Sequence, residues 1–142
     1  MPIRKASAVW EGNLPRGKGT MKLGSAAFEG AYSAGSRFEG ASGTNPEELI
    51  GAAHAGCFSM AFAHALTMAG HTPKEVRTSA RVHLDKVDEG FKITSIELIT
   101  EADVPDIKED KFRKIAEEAK EGCPVSQALK AVEIKLEAKL AE

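Results

Sequence analysis

Residues 45–70, NPEELIGAAHAGCFSMAFAHALTMAG, have the pattern of one long helix that is apolar on every side. Asn45 suits the N-cap, Pro46 the first helical position, and Glu48 the third position that completes a capping box. Gly70 suits the C-terminal end of the helix. A helix that lacks a polar face is typical of the centre of a protein. The stretch therefore predicts a long, buried central helix.

The same stretch carries almost no charge over residues 49–70, which is also typical of a membrane span. It is rich in Ala and Gly, contains His54 and His64, and lacks flanking basic anchors, so the sequence favours a buried helix over a membrane span. Small residues recur every four positions, at Gly51, Ala55, Ser59 and Ala63. They allow another element to approach closely, and a chain of this size cannot easily surround such a helix. The sequence therefore predicts a homodimer with this helix near the interface.

Length and charge restrict the remaining choices. The chain has 142 residues and a net charge of −2, which predicts one domain over residues 1–142 and gives no basic surface for nucleic acid. The first residues, MPIRKASAVWEG, lack the apolar core of a signal peptide. With only two cysteines and no export signal, we expect a cytoplasmic protein in which a disulfide would be transient.

Alternating and amphipathic patterns predict the other elements. Strands are predicted at residues 3–10, 18–23, 75–87, 91–102 and 132–140. An amphipathic helix is predicted over residues 106–121, and a short helix from Pro124 to about Lys130. Residues 24–43 are rich in Gly, Ala and Ser and are predicted to be partly loop, with a short strand at residues 36–39. Together these elements predict an α+β fold, with mostly antiparallel sheets packed around a long central buried helix.

The two cysteines are the main candidates for chemistry. Cys57 lies within the long helix and Cys123 at the start of the short one, too far apart in sequence for a CxxC motif or a zinc finger. A helix start favours the thiolate, whereas a thiol in an apolar helix is usually inert unless a cation stabilises its anion. Such a pair suits peroxide chemistry. Most free cysteines are packing residues, however, so a structural role remains open at this point.

Three segments carry a family resemblance: SRFEG at residues 36–40, GTNPEELIGAAHAGCFSMAF at 43–62 and GCPVSQALKAVEIKL at 122–136. They resemble the OsmC/Ohr family. This resemblance implies an OsmC-like fold and a tightly intertwined homodimer with two active sites at the subunit interface. It also implies a thiol-dependent peroxidase that reduces organic hydroperoxides, and hydrogen peroxide less well, in oxidative or osmotic stress defence.

The resemblance assigns roles to four residues. Cys57 matches the peroxidatic cysteine, which becomes a sulfenic acid, and Cys123 matches the resolving cysteine, which forms an intramolecular disulfide with it. Arg37 matches the arginine that stabilises the thiolate and orients the peroxide, and Glu47 matches the glutamate that pairs with this arginine. We expect a dithiol reductant, which is lipoylated in the Ohr branch, and no cofactor or metal.

The helix limits how these four residues can meet. Glu47 and Cys57 are ten residues apart on one helix, so their Cα atoms lie about 15 Å apart. One arginine is then not expected to touch both within one chain. Our hypothesis is that Glu47 meets Arg37 and Cys57 across the dimer interface. Glu48 keeps its capping role and is left out of the site.

Other interpretations stay open beside the peroxidase. Cys57 could carry sulfur as a persulfide or act as a redox sensor, although a sulfur carrier needs no resolving thiol. A purely structural dimer would have two unreactive thiols. His54 lies one helical turn before Cys57, and a core histidine with a satisfied hydrogen bond is favoured over a pocket residue. Phe58 and Met60 predict apolar surroundings for Cys57, which suit organic hydroperoxides.

Overall fold

The computed structural model describes residues 1–142, with six strands in two three-stranded sheets and four helices. The chain divides into two compact units, Met1–Leu49 and Ile50–Glu142. Each unit contains one of the sheets. The α+β class predicted from the sequence is confirmed, and the single domain over residues 1–142 stays a prediction.

The first unit contains an antiparallel sheet of three consecutive strands. They are β1 (Ala6–Glu11), β2 (Lys18–Leu23) and β3 (Glu29–Tyr32). The predicted strand at residues 18–23 is confirmed, and β1 starts three residues later than predicted. Strand β3 falls in the stretch predicted to be partly loop, where no strand was predicted before residue 36. Gly19 of β2 lies against the ring pair of Trp10 and Tyr32, whose centroids are 5.3 Å apart. A Cβ there would approach these rings to 2.7 and 2.6 Å, so only glycine fits.

Helix α1 (Ala34–Phe38) replaces the short strand predicted at residues 36–39, and that prediction is wrong. The reason is a reciprocal capping box before the helix. The Oγ atom of Ser33 accepts a hydrogen bond from the Ser36 N–H over 3.1 Å, and the Ser36 Oγ accepts one from the Ser33 N–H over 2.9 Å. Two hydroxyls three residues apart thus satisfy N–H groups at the start of a helix. This local stabilisation of the helix outweighs the weak strand pattern of the stretch.

Helix α2 (Pro46–Met68) begins and ends close to the predicted positions. The Oδ1 atom of Asn45 accepts from the Glu48 N–H over 2.7 Å, which confirms the N-cap. The Glu48 carboxylate instead accepts from the Thr44 hydroxyl over 2.7 Å, so the second half of the predicted capping box is not formed. Gly70 has a φ of 92°, which ends the helix as predicted.

Within one chain α2 buries only one of its faces. The buried face contains Gly51, His54, Phe58, Phe62 and Leu66, and the opposite face exposes Ala52, Ala53, Gly56, Met60 and His64. The predicted all-round burial is therefore not reached by the chain alone. By length and composition α2, with a mean hydropathy of 1.4, could cross a membrane, a test that the core helix of a soluble protein also passes.

The second unit is built on a hairpin followed by a crossover. Its further elements are β4 (Glu75–Val87), β5 (Gly90–Asp103), α3 (Glu109–Gly122), α4 (Pro124–Ala128) and β6 (Glu133–Leu140). Strands β4 and β5 pair antiparallel, whereas β6 runs parallel to β5. A parallel pair needs a long connection, which α3 and α4 provide. Cys123 lies between these two helices.

The core of this unit joins α2, α3 and β5. Phe62 lies between Phe58 and Phe112, with ring centroids 5.5 and 5.3 Å away. The predicted apolar face of α3 is confirmed at its buried residues, Phe112, Ile115, Ala116 and Ala119. A Cβ on Gly51 would lie 3.3 Å from the Val82 side chain, so small residues of α2 do allow β4 to approach closely.

Candidate active site

Arg37 and Glu47 form a bidentate ion pair in the first unit. Arg37 Nε donates to Glu47 Oε1 over 3.1 Å, and Nη2 donates to Oε2 over 2.7 Å. The Glu47 side chain is 9% exposed and that of Arg37 is 38% exposed, so the carboxylate is buried beneath the guanidinium. The hydrogen bond to Glu47 raises the pKa of Arg37 and holds its charge, even though burial acts against it. The pair uses Nε and Nη2, which leaves Nη1 to donate to another group.

This pair forms within one chain, which corrects the part of our hypothesis that joined Glu47 to Arg37 across a dimer interface. Two short contacts hold α1 beside the start of α2: Ser36 Oγ donates to the Thr44 carbonyl over 2.7 Å, and Asn45 Nδ2 donates to the Ser36 carbonyl over 3.2 Å. Because a short loop connects the two helices, the carboxylate reaches the arginine of its own chain. A meeting of the pair with Cys57 of the partner subunit stays a prediction.

Cys57 and Cys123 lie side by side in the second unit. Their Sγ atoms are 2.9 Å apart and both thiols are free. Cys57 is half-buried on α2, and Cys123 is fully buried at the junction of α3 and α4. The crossover between β5 and β6 thus brings together two thiols that are distant in sequence. Their contact lets the pair close to a disulfide with little movement of the backbone.

The surroundings shift the two thiols in opposite directions. Burial raises the pKa of Cys57, the contact with Cys123 raises it further, and the Val125 N–H acts against both. Burial also acts to raise the pKa of Cys123, but hydrogen bonds from Cys57, Ser126 and Val125 outweigh it and lower this pKa. Within one chain these surroundings favour the thiolate of Cys123 over that of Cys57. Cys57 needs a further cation to ionise readily.

Comparison with known proteins identifies the family. A family model described as OsmC-like protein matches residues 39–137. The chain belongs to this family. It is 54% identical to "Peroxiredoxin OsmC" of Escherichia coli (strain K12) over 129 residues, which covers 90% of both chains.

Solved OsmC-like structures share the fold. The organic hydroperoxide resistance protein OhrB of Bacillus subtilis matches with a TM-score of 0.75 and 28% identity, covering 95% of this chain and 98% of that one. An OsmC-like protein from Mycoplasma pneumoniae matches with a TM-score of 0.76 at 16% identity, covering 99% of each chain. The second match shows the fold alone.

A further side chain of this OsmC-like chain reaches the thiols. Ser126 of α4 is buried, and its hydroxyl lies 2.7 Å from Nε2 of the fully buried His54 and also hydrogen-bonds Cys123. The sequence had favoured a core histidine with a satisfied hydrogen bond at His54, and Nε2 does have that bond. No role was predicted for Ser126. Its position three residues after Cys123, one helical turn away, is the signal that could have found it.

The apolar neighbours predicted for Cys57 separate into two environments. Phe58 is fully buried and contacts Phe62, so it belongs to the core rather than to a substrate surface. Met60 is 78% exposed on the opposite face of α2. No group of three or more His, Cys, Asp and Glu side chains is arranged to hold a metal ion. The absence of a metal or cofactor from the chemistry stays a prediction.

Proposed function

We propose that this OsmC-like protein is a thiol-dependent peroxidase that reduces organic hydroperoxides, and hydrogen peroxide less well. The contact of 2.9 Å between the Cys57 and Cys123 sulfurs carries the proposal, because it suits a thiol that is oxidised and a second thiol that resolves it. The names of the relatives, a peroxiredoxin and an organic hydroperoxide resistance protein, support the same chemistry. We place the activity in cytoplasmic stress defence.

The proposed cycle has three balanced steps. The Cys57 thiolate attacks one oxygen of the peroxide, the O–O bond breaks, and the alkoxide leaves and takes a proton to become the alcohol. The Cys123 thiolate then attacks the sulfur of the Cys57 sulfenic acid, the S–O bond breaks, and hydroxide leaves as water. A dithiol supplies two electrons to reopen the disulfide and becomes a disulfide itself.

Arg37 is the cation that we assign to Cys57. Burial raises the pKa of this thiol, and a nearby guanidinium would lower it and orient the peroxide oxygen. The bidentate bond to Glu47 fixes the plane of the guanidinium, which suits a group that must hold one orientation during the reaction. We propose that the Arg37–Glu47 pair of one subunit serves the partner's Cys57.

This assignment needs a homodimer, and the exposed face of α2 supports one. Met60 and Met68 are 78% and 75% exposed on a helix that carries charge only in its first turn. Two large apolar side chains exposed on one helix are typical of a surface that another molecule covers. We assign that role to a second copy of the chain.

The substrate and the reductant are part of the same proposal. The half-buried position of Cys57 leaves the thiol accessible to a peroxide, and the name of the OhrB relative favours a hydroperoxide with an organic substituent. The reductant that we propose is a dithiol, with a lipoylated protein as one candidate.

A thiol titration with cumene hydroperoxide tests the proposal. The reduced protein is treated with one equivalent of peroxide, as wild type, Cys57→Ser and Cys123→Ser. We expect rapid loss of two thiols and an intramolecular disulfide by mass in wild type, no reaction in Cys57→Ser, and a sulfenic acid without disulfide in Cys123→Ser. Glu118→Gln, at an exposed position of α3 with no assigned role, is the control and should react like wild type.

The same titration separates the alternatives. A persulfide carrier or a redox sensor predicts slow or absent thiol loss with peroxide but a reactive Cys57 towards sulfur donors or partner thiols. A structural dimer predicts that both thiols stay unreactive and that Cys57→Ser changes nothing. Either pattern would exclude the peroxidase.

A further inference from the structure

His54 is a buried histidine whose two ring nitrogens have different surroundings. The residue is fully buried on α2, and its Nε2 lies 2.7 Å from Ser126 Oγ. Its Nδ1 is buried and has no hydrogen-bond partner. An unpartnered polar atom in a protein interior is unfavourable, so its retention calls for a compensating role.

The hydrogen count at Ser126 determines the protonation of this histidine. A serine hydroxyl has one hydrogen, and its hydrogen bond lowers the pKa of Cys123, as a donor to a thiolate does. The Oγ atom must then accept from His54, which places the histidine proton on Nε2 and leaves a lone pair on Nδ1. Burial lowers the pKa of His54, which keeps the ring neutral and suits this single-proton form.

The charged side chains around α4 are not among the hydrogen-bond donors to the Cys123 sulfur. Helix α3 packs against α4, and its Lys120 is held by Glu117 and Glu121 at 2.6 and 3.3 Å. The cavity beside Ser126, of about 170 Å³, is lined by Lys120, Glu121 and the exposed Lys130 among others. The donors that reach the Cys123 sulfur are Cys57, the Ser126 hydroxyl, and the N–H groups of Val125 and Ser126.

We propose that His54 and Ser126 form an ordered hydrogen-bond chain that holds Cys123 as the thiolate for disulfide formation. Ser126 contacts the reacting sulfur, and His54 is a positioning residue that directs the Ser126 hydrogen towards it. The inference rests on the proposed function and deepens it, because it assigns residues to the resolving step. The Cys123 thiolate attacks the Cys57 sulfenic sulfur, the S–S bond forms, the S–O bond breaks, and hydroxide takes a proton from solvent.

The same hydrogen-bond chain also favours the later reduction of the disulfide by a dithiol. When a dithiol attacks the disulfide at Cys57, Cys123 leaves as the thiolate, and a thiol of lower pKa leaves faster. The same donors therefore assist both the closing and the reopening of the disulfide.

A spectroscopic titration of Cys123 alone is the first test. In a Cys57→Ser background Cys123 is the remaining cysteine, so thiolate absorbance near 240 nm against pH reports its ionisation directly. We expect Ser126→Ala and His54→Leu each to lower the thiolate population at a given pH about tenfold, because each removes a donor or its orientation. Ser126→Thr and His54→Gln retain the hydroxyl and the donor, and should recover most of the population. Glu118→Gln, at an exposed position of α3, should change nothing.

Rapid-quench kinetics in the Cys57-containing protein provide the second test. We expect the same variants to form the Cys57 sulfenic acid within twofold of the wild-type rate but to form the disulfide about tenfold more slowly. An unchanged Cys123 titration in both loss variants, or equal slowing of the two steps, would overturn the inference. If Cys57 fails to react with peroxide, the proposed function fails, whereas the titration still decides on the hydrogen-bond chain.

Discussion

Residues Ile50–Glu142 contain all of the buried apolar side chains, whereas the buried side chains of Met1–Leu49 are polar: Ser36, Thr44 and Glu47. The second unit has a core of aromatic and aliphatic residues, with Phe58, Phe62 and Phe112 in contact. The first unit instead exposes large apolar residues such as Val9 and Leu14, at 61% and 60%. Burial of apolar surface is the dominant favourable contribution to folding, so the two units cannot be stable for the same reason.

The chemistry divides along the same line. The thiols lie in the unit that has its own core, and the Arg37–Glu47 pair lies in the unit that is organised by hydrogen bonds. Rigid packing suits two sulfurs that must stay in contact. A buried ion pair needs polar surroundings, which the capping network of Ser36, Thr44 and Asn45 supplies.

The largest expected effect is on stability, from a substitution in the apolar core. Phe112→Ala removes a fully buried ring that contacts Phe62, and should lower the free energy of unfolding by about 3–5 kcal/mol. Val9→Ala, on the exposed β1, is the matched control and should stay within about 0.5 kcal/mol. Urea unfolding at fixed protein concentration measures both. A large loss in Val9→Ala would show that another subunit completes a core around the first sheet.

The second prediction concerns the cation. Arg37→Ala should slow oxidation of Cys57 by cumene hydroperoxide about 10²–10³-fold, because a preorganised charge is lost from the reacting sulfur. Single-turnover thiol loss measures the rate, and Arg16→Ala, at an exposed position of the same unit, should keep the wild-type rate. An unchanged rate in Arg37→Ala would exclude a role for the pair in activating the thiol.

Much of the α2 region and of the second sheet could be predicted because their signals are local and strong. The N-cap at Asn45 and the alternation of residues 75–87 each require only neighbouring residues. Helix α1 was missed because the Ser33–Ser36 capping box outweighs a weak strand pattern. Strand β3 was missed because its centre is Gly30–Ala31, which has a low strand propensity, and its pairing with β2 decides the outcome.

The candidate site could be predicted only in part, from the family resemblance rather than from local sequence patterns. The resemblance identified the four candidate site residues. Whether Arg37 and Glu47 pair within one chain, however, depends on the conformation of the loop between α1 and α2, which has no local sequence signal. The rise of the helix fixes only the distance from Glu47 to Cys57. The spacing of three residues from Cys123 to Ser126 is a local signal, but the contact of Ser126 with His54, 72 residues earlier, follows from the fold rather than from a local pattern.

The third prediction tests whether the two units of different subunits cooperate. Arg37→Ala and Cys57→Ser chains are each expected to be inactive. After mixing and subunit exchange at equal amounts, half of the dimers carry both chains and one of their two sites is intact if the Arg37–Glu47 pair serves the partner's Cys57. Activity should then return to about one quarter of wild type. No recovery, with exchange verified by native mass spectrometry, would indicate that cation and thiol act within one chain.

The smallest expected effect is at the cap that joins the polar network to α2. Asn45→Ala removes the acceptor for the Glu48 N–H and the donor to the Ser36 carbonyl, and should lower the free energy of unfolding by about 1 kcal/mol. Asn45→Asp restores the acceptor but not the donor, so urea unfolding should return to within about 0.5 kcal/mol of wild type. The Ser36 carbonyl lies next to Arg37 in sequence, so the aspartate variant separates two roles. Normal stability with slower oxidation of Cys57 would mean that the Asn45 amide orients the arginine, whereas full recovery of both would limit Asn45 to capping.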